Sequence, residues 1–227
     1  MVRFYPNRPE FRFHGAVHEQ VYEHDQPAAF QPIQLEIIHN GYEQEEYQRK
    51  RKEERYLRLY GKRLEDDPHD SYMLYQMGKL LASLKRWQAA EPYLRDSLRW
   101  GEPERLYYPV MLVLLGYVLR EQGKSAESAA LLAPYQASYN DFPDLFFLLG
   151  LLAMDAGQMD KIEHYFTEAL KIGDTDKYTS VCGVGTYKAA YNLGVYYEVA
   201  GNADLASQCY GFAAQYGYEP AIGRLNS

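Results

Sequence analysis

Apolar positions recur with helical spacing from about residue 43 to the end of the chain, and one short pattern returns four times. It reads Leu74-x-x-Met77-Gly78-x-x-Leu81, Leu112-x-x-Leu115-Gly116-x-x-Leu119, Phe146-x-x-Leu149-Gly150-x-x-Ala153 and Ala190-x-x-Leu193-Gly194-x-x-Tyr197. Apolar residues at i, i+3 and i+7 define one helical face. A mid-helix glycine costs about 1 kcal/mol against alanine. Four glycines at one place in one pattern therefore point to a steric cause: a neighbouring helix passes too close for a Cβ. A second helix follows each glycine. Twelve residues on stand Ala90, Ser128, Ile162 and Ala206, and four further on Leu94, Leu132, Phe166 and Tyr210. This small-then-large spacing puts both residues on one face. Between the helices, Gly123, Gly157 and Gly201 occupy matching turn positions, as a helix C-terminus favours.

The glycines at 78, 116, 150 and 194 stand 38, 34 and 44 residues apart. The aromatic, Leu-Gly and Tyr spacing and the 34-residue period resemble the tetratricopeptide repeat. That resemblance implies an all-α, tetratricopeptide-type α-α superhelix with a short irregular or β segment before it. Four hairpins and a C-terminal cap are expected over 69–227. The longest spacing leaves about ten extra residues, from Gly173 to Gly183, against that period. Residues 43–68 read as a charged connecting helix, a half repeat with Leu57, Tyr60 and Leu64 on its apolar face, broken at Asp67-Pro68. Its basic run, Arg49 to Lys52, is flanked by Glu45, Glu46, Glu53 and Glu54 at pairing distance, so it reads as a solvated helix face.

Residues 1–42 lack helical periodicity. Val2–Tyr5, Phe11–Phe13 and Ile33–Ile38 read as short strands, punctuated by prolines at 6, 9, 27 and 32. Such strands bury too little to stand alone. The sequence after Met1 reads as mid-domain, so the natural chain is expected to begin further upstream.

Here a second resemblance enters. Val2-Arg3-Phe4-Tyr5-Pro6-Asn7-Arg8, then Phe11-Arg12-Phe13-His14-Gly15-Ala16-Val17-His18-Glu19-Gln20, then Ile38-His39-Asn40-Gly41-Tyr42, resemble the last part of the catalytic domain of family-2 glycosyltransferases. The bacterial, Firmicute-type members with C-terminal tetratricopeptide repeats are the most similar. Gly183-Val184-Gly185-Thr186-Tyr187-Lys188, running into Tyr191-Asn192-Leu193-Gly194, resembles their last repeat. The resemblance implies a parent enzyme that transfers a sugar from a nucleotide donor with a divalent metal, Mg or Mn. It implies a metal- or pyrophosphate-side role for His18 and an orienting or basic role for Glu19, with a weaker claim for His39. The nucleotide-holding half of such enzymes has no counterpart in this sequence. The one Asp-x-Asp, Asp174-Thr175-Asp176, lies between repeats. No cofactor is expected for this chain by itself.

Composition narrows the partners. Tyrosine supplies 23 residues, and aromatics 15% of the chain. Buried tyrosines keep a polar tip that seeks a partner or water. A net charge of −7 argues against nucleic acid as the main partner. No run approaches the roughly 18 apolar residues of a membrane span. Two cysteines without a CxxC pair, and no apolar leader, suit a cytoplasmic protein with reduced thiols. His14 and His18 on a strand stand roughly 13 Å apart, so a joint zinc site is not expected. His24, His69 and His164 read as ordinary surface or helix residues. Gly183-x-Gly185 reads as a flexible lead-in to a helix.

First helices of such repeats line the concave side of the superhelix. The candidate ligand groove is Tyr72, Tyr75, Lys79, Tyr117, Arg120 and Lys188: aromatic anchors with a few cations, suited to a protein, peptide or glycan acceptor. Two functions stay open. One is the acceptor-binding or assembly region of a glycosyltransferase. The other is a stand-alone adaptor that binds a protein or peptide partner. A self-contained enzyme ranks last, since no donor site is visible.

Overall fold

The computed structural model describes residues 5–14, 20–29 and 52–226. The strands expected at Val2–Tyr5 and Ile33–Ile38 and the helix start at 43–51 fall largely or wholly outside these residues. So do His18, Glu19 and His39.

Near the N-terminus, β1 (Phe11–His14), β2 (Gln20–Glu23) and β3 (Gln26–Pro27) form an antiparallel sheet in sequence order. Phe11 pairs with Glu23 and His14 with Gln20. His24 and Asp25 link β2 to β3, and both take positive φ, 47° and 63°. This is the geometry of a two-residue hairpin turn. The sequence shows no Asn-Gly or Asp-Gly there, so the pattern does not signal the turn.

Ten α-helices follow among the described residues. A leading helix, α1 (Lys52–Asp66), precedes four antiparallel pairs. These are α2 (Ser71–Ser83) with α3 (Trp87–Trp100), and α4 (Tyr107–Glu121) with α5 (Ser125–Leu132). Then come α6 (Pro143–Asp155) with α7 (Met159–Ile172), and α8 (Tyr187–Val199) with α9 (Ala203–Ala214). A terminal α10 (Glu219–Leu225) packs on α9. The short α5 runs on into a 3-10 turn, Ala133–Tyr135, at Pro134, whose missing N–H cannot continue the helix. No strand occurs among residues 52–226.

The repeat glycines sit where the sequence demands them. A Cβ on Gly78 would lie 2.6 Å from Leu94, one on Gly150 2.7 Å from Phe166, and one on Gly194 2.6 Å from Tyr210. At Gly116 the nearest atoms belong to Leu148, Leu132 and Ser128, at 2.7, 3.0 and 3.1 Å. Leu94, Phe166 and Tyr210 thus fill the notches of their glycines, and Leu132 shares that of Gly116 with Leu148 of α6. Ser128 is buried at the small position, yet its hydroxyl donates to the Gly116 carbonyl at 2.9 Å. The polar atom is satisfied where burial alone would cost it.

The inter-helix turns carry Gly123, Gly157 and Gly201 at φ of 75°, 64° and 78°. The first hairpin has Lys85 there, at φ 56°. A side chain in the left-handed region costs about 1–2 kcal/mol. The helices supply the rest of the stability by burying Met111, Leu112, Leu115, Leu119, Leu145 and Leu148, each fully enclosed. Tyr60 of α1 joins this core, with Leu57 and Leu64 packed against it.

Two outcomes are expected from this packing. Gly150→Ala should lower stability by about 1–3 kcal/mol through overpacking against Phe166. Gly61→Ala, in α1 with open space around it, should instead gain up to about 1 kcal/mol from helix propensity. Denaturant unfolding of both variants checks the pair. Separately, Lys85→Gly should raise the melting temperature by relieving its left-handed backbone.

Candidate functional site

The first helices α2, α4, α6 and α8 present two rows toward the inner side. The row one residue past each glycine holds Lys79, Tyr117, Leu151 and Val195. Lys79 is exposed and the other three are partly buried. The row three before holds Tyr75, Val113 and Phe147, which are 4, 5 and 8% exposed, and Tyr191, which is partly buried. The first row lines the groove and the second lies beneath it. Of the groove candidates, Tyr75 is therefore largely enclosed. Tyr107 of α4 stacks on its ring.

At the α2 end of the groove lies a cleft of about 360 Å³. Tyr72, Tyr75, Gln76 and Lys79 of α2 form one wall, and Leu106, Tyr107 and Val110 at the start of α4 form the floor. The opposite wall is Asp176, Lys177, Tyr178 and Thr179. The Tyr75 and Tyr107 rings stack at 5.6 Å, and Tyr72 meets Tyr107 edge-on at 5.1 Å. The Tyr107 hydroxyl is bonded to Ser71 Oγ at 2.6 Å. Burial, with a smaller effect of Tyr72, pushes the Tyr75 phenol up to about 12. Burial also raises Tyr72. These hydroxyls stay protonated at neutral pH, so the wall offers neutral donors. Lys79 Nζ stands 5.8 Å from the Tyr75 ring centre, within reach of a weak cation–π contact.

The other candidates take different places. Arg120 is committed: its Nε and Nη2 donate to the two Asp155 oxygens of α6 at 2.7 and 2.8 Å. Ser125 adds a third bond to Asp155 at 2.8 Å. This fork spans adjacent repeats, and Arg120 chiefly holds the Asp155 carboxyl below its ordinary range. Tyr117 sits deeper along the groove. Burial raises its phenol most, and the Asp144 carboxylate raises it further. Lys188, in the first turn of α8, faces the same carboxylate, and its Nζ is 5.8 Å from the Tyr187 ring. Tyr72, Tyr75 and Lys79 thus share one cleft. Tyr117 and Lys188 gather around Asp144, and Arg120 clamps the scaffold.

The wall that the sequence left unexplained is the insertion between α7 and α8. This strap, residues 173–186, returns along the loop edge of the array. Lys177 Nζ and the Tyr178 hydroxyl both donate to Asp141, at 2.5 and 3.0 Å. Ser180 Oγ and the Val181 N–H donate to Asp144, the latter at 2.9 Å. The Tyr178 ring packs on Phe142 at 4.8 Å. Asp144 is 3% exposed, and burial raises its pKa against the pull of these bonds. The base of the strap is pinched: a Cβ on Gly185 would fall 2.1 Å from the Gly173 carbonyl oxygen. Gly183-x-Gly185, read as a flexible lead-in, is instead a tight backbone crossing. Asp141, Asp144 and Gln76 escaped the sequence reading. The 44-residue spacing was the available signal, but length alone does not say where a loop lies.

Among the described residues no group of three or more His, Cys, Asp or Glu is placed to hold a metal. No helix among them is long and apolar enough to cross a membrane.

The buried and open members of the cleft should separate on mutation. Tyr75→Ala should cost roughly 3 kcal/mol of stability, as large buried aromatics do. Lys79→Ala should stay within about 0.5 kcal/mol, as exposed side chains do. Thermal and urea unfolding check both; equal effects would place Tyr75 at the surface.

No protein-family model matches the chain. Over 175 residues it is 29% identical to a TPR repeat-containing protein of Synechococcus elongatus, covering 70% of this chain and 42% of that one. Over 172 residues it is 24% identical to the SPbeta prophage-derived glycosyltransferase SunS of Bacillus subtilis, covering 75% of this chain and 37% of that one. The chain thus spans less than half the length of the curated relatives it matches. Among solved structures it is similar to YrrB, described as a TPR protein with an unusual peptide-binding site. That likeness has a TM-score of 0.60 at 21% identity, over 80% of this chain and 87% of the other. It is likewise similar to MamA, with a TM-score of 0.62 at 19% identity, over 82% of this chain and 99% of the other. Repeat glycines, hairpin pairing and these likenesses agree: the fold is that of the tetratricopeptide-repeat proteins.

Proposed function

We propose that this array is a docking module whose concave side holds an extended protein or peptide segment, and that it serves as the acceptor-binding or assembly region of a nucleotide-sugar-dependent glycosyltransferase. The observation that carries the docking part is the cleft at the α2 end. It joins tyrosine walls, neutral hydroxyls and the Lys79 ammonium on one open surface. Tyrosine gives large contact area at little conformational cost, and lysine adds long-range steering. The peptide-binding site of YrrB, a protein of the same fold, supports a similar use of this groove.

The glycosyltransferase part rests on the family-2 resemblance of residues 2–42 and on the likeness to SunS across 75% of the chain. In this reading the catalytic half, its nucleotide site and its Mg or Mn lie outside the array. His18 contributes on the metal side and Glu19 beside it. The adaptor reading is favoured by the Synechococcus relative, whose name speaks only of repeats. The mass of the polypeptide isolated from its native source separates the two. A product much longer than 227 residues, with an upstream nucleotide-binding half, supports the enzyme; a product of this length supports the adaptor.

Two results are expected. Calorimetric titration of this chain with UDP-glucose or UDP-N-acetylglucosamine and Mn²⁺ should give no micromolar binding; such binding would move the donor site into these residues. Peptides selected by display against the chain should lose roughly 1–2 kcal/mol of affinity on Tyr72→Ala with Lys79→Ala. Lys161→Ala on α7 should leave them unchanged, and the reverse pattern would place docking on the second helices.

A further inference from the structure

The strap is built unlike the rest of the array. Of residues 174–182 only Tyr178 is buried. One backbone N–H in this stretch, that of Val181, donates to another element. The rest of its hold is side-chain bonding to Asp141 and Asp144, the Tyr178 ring on Phe142, and the Tyr187 hydroxyl donating to the Cys182 carbonyl at 3.4 Å. Both of its ends are glycines in the left-handed half of conformational space: Gly173 at φ 72° and ψ −159°, and Gly183 at φ 85°. The first of these is a conformation open essentially to glycine alone. Few buried contacts and few backbone bonds mark a segment that opens locally at low cost.

What the strap covers matters as much as how it is held. The charge of Asp144 acts on Tyr117 of α4, and that of Lys188 of α8 acts on Asp144. Ser180 and Val181 cap that carboxylate, while Asp176 to Thr179 wall the cleft beyond it. A lysine ammonium, two hydroxyls and a backbone N–H are thereby delivered to two aspartates by an irregular stretch of chain. That is the set of contacts a docked peptide would make.

We propose that residues 174–182 are a resident occupant of the groove, anchored at its base where Gly185 crosses Gly173 and displaced when a partner docks. The partner segment it stands in for is extended, carries a basic residue next to an aromatic one, and brings a hydroxyl that reaches Asp144. The strap keeps Asp144 paired while no partner is bound, since an unpaired buried carboxylate is costly. A closed strap also lowers apparent affinity by the fraction of time it is open. This inference rests on the groove being a docking surface, as proposed above. It does not depend on attachment to a glycosyltransferase, which the nucleotide-sugar titration tests separately.

Two measurements on the full chain decide it. Hydrogen exchange of the unaltered protein should release the Val181 amide at least about 100-fold faster than the Leu149 amide within α6, as local opening without global unfolding requires. Equal protection would make the strap a fixed part of the core and overturn the proposal. The second uses a labelled peptide of residues 174–182 with serine in place of Cys182. Fluorescence anisotropy should show it binding the Lys177→Ala/Ser180→Ala variant at least about 10-fold more tightly than the unaltered chain. Adding Asp144→Asn should abolish that gain, and a scrambled peptide should show none. No gain in a variant with unchanged helical signal overturns the proposal. So does loss of that signal in the variant, since it would show that the strap is required to hold the fold.

Discussion

One contact organises the molecule: a glycine in each first helix against a large side chain in the second. Removing a Cβ lets the helix axes approach until Leu94, Leu132, Phe166 or Tyr210 fills the notch. The glycine forfeits helix propensity. The approach repays it by burying residues such as Leu112, Leu119, Leu145 and Leu148 completely. Because the same contact recurs from repeat to repeat, each hairpin packs on the next and the first helices share one side. The groove is a consequence of this packing, with Lys79 its most open residue on α2.

On that scaffold, polar residues divide into clamps and free groups. Arg120 and Asp155 lock α4 to α6. Glu91 of α3 accepts from Arg95, Lys124 and Gln122 and so ties α3 to the α4–α5 turn. Burial acts against ionising Glu91, yet the three donors prevail and hold its carboxyl down at about 2. Lys79 is exposed and makes no such bond among the described residues. Asp144 is intermediate: it is a buried carboxylate whose partners, Ser180 and Val181, come from the strap.

Much of this was legible in the sequence, and the reasons are specific. Gly78, Gly116, Gly150 and Gly194 with their i+12 and i+16 partners encode a steric fact that depends only on chain spacing, so the hairpins could be read directly. Tyr72 and Lys79 could be assigned to the groove by offset from Gly78. Offset does not carry depth, however, and Tyr75 went to the layer beneath, where Tyr107 stacks on it. Arg120 looked like a ligand cation because its partner, Asp155, lies one repeat away. The β2–β3 turn at His24-Asp25 lacked the usual residue pair. The strap was visible only as surplus length: its destination is set by Asp141 and Asp144, which read as ordinary acids at a helix start.

The most direct test of the central contact is a double-mutant cycle at Gly150 and Phe166, read by urea unfolding. If the glycine is there because the Phe166 ring fills its notch, then Phe166→Leu should recover much of the loss caused by Gly150→Ala. The coupling energy should be about 1 kcal/mol or more. Additive effects of the two substitutions would contradict the account and remove the steric basis assigned to the repeat.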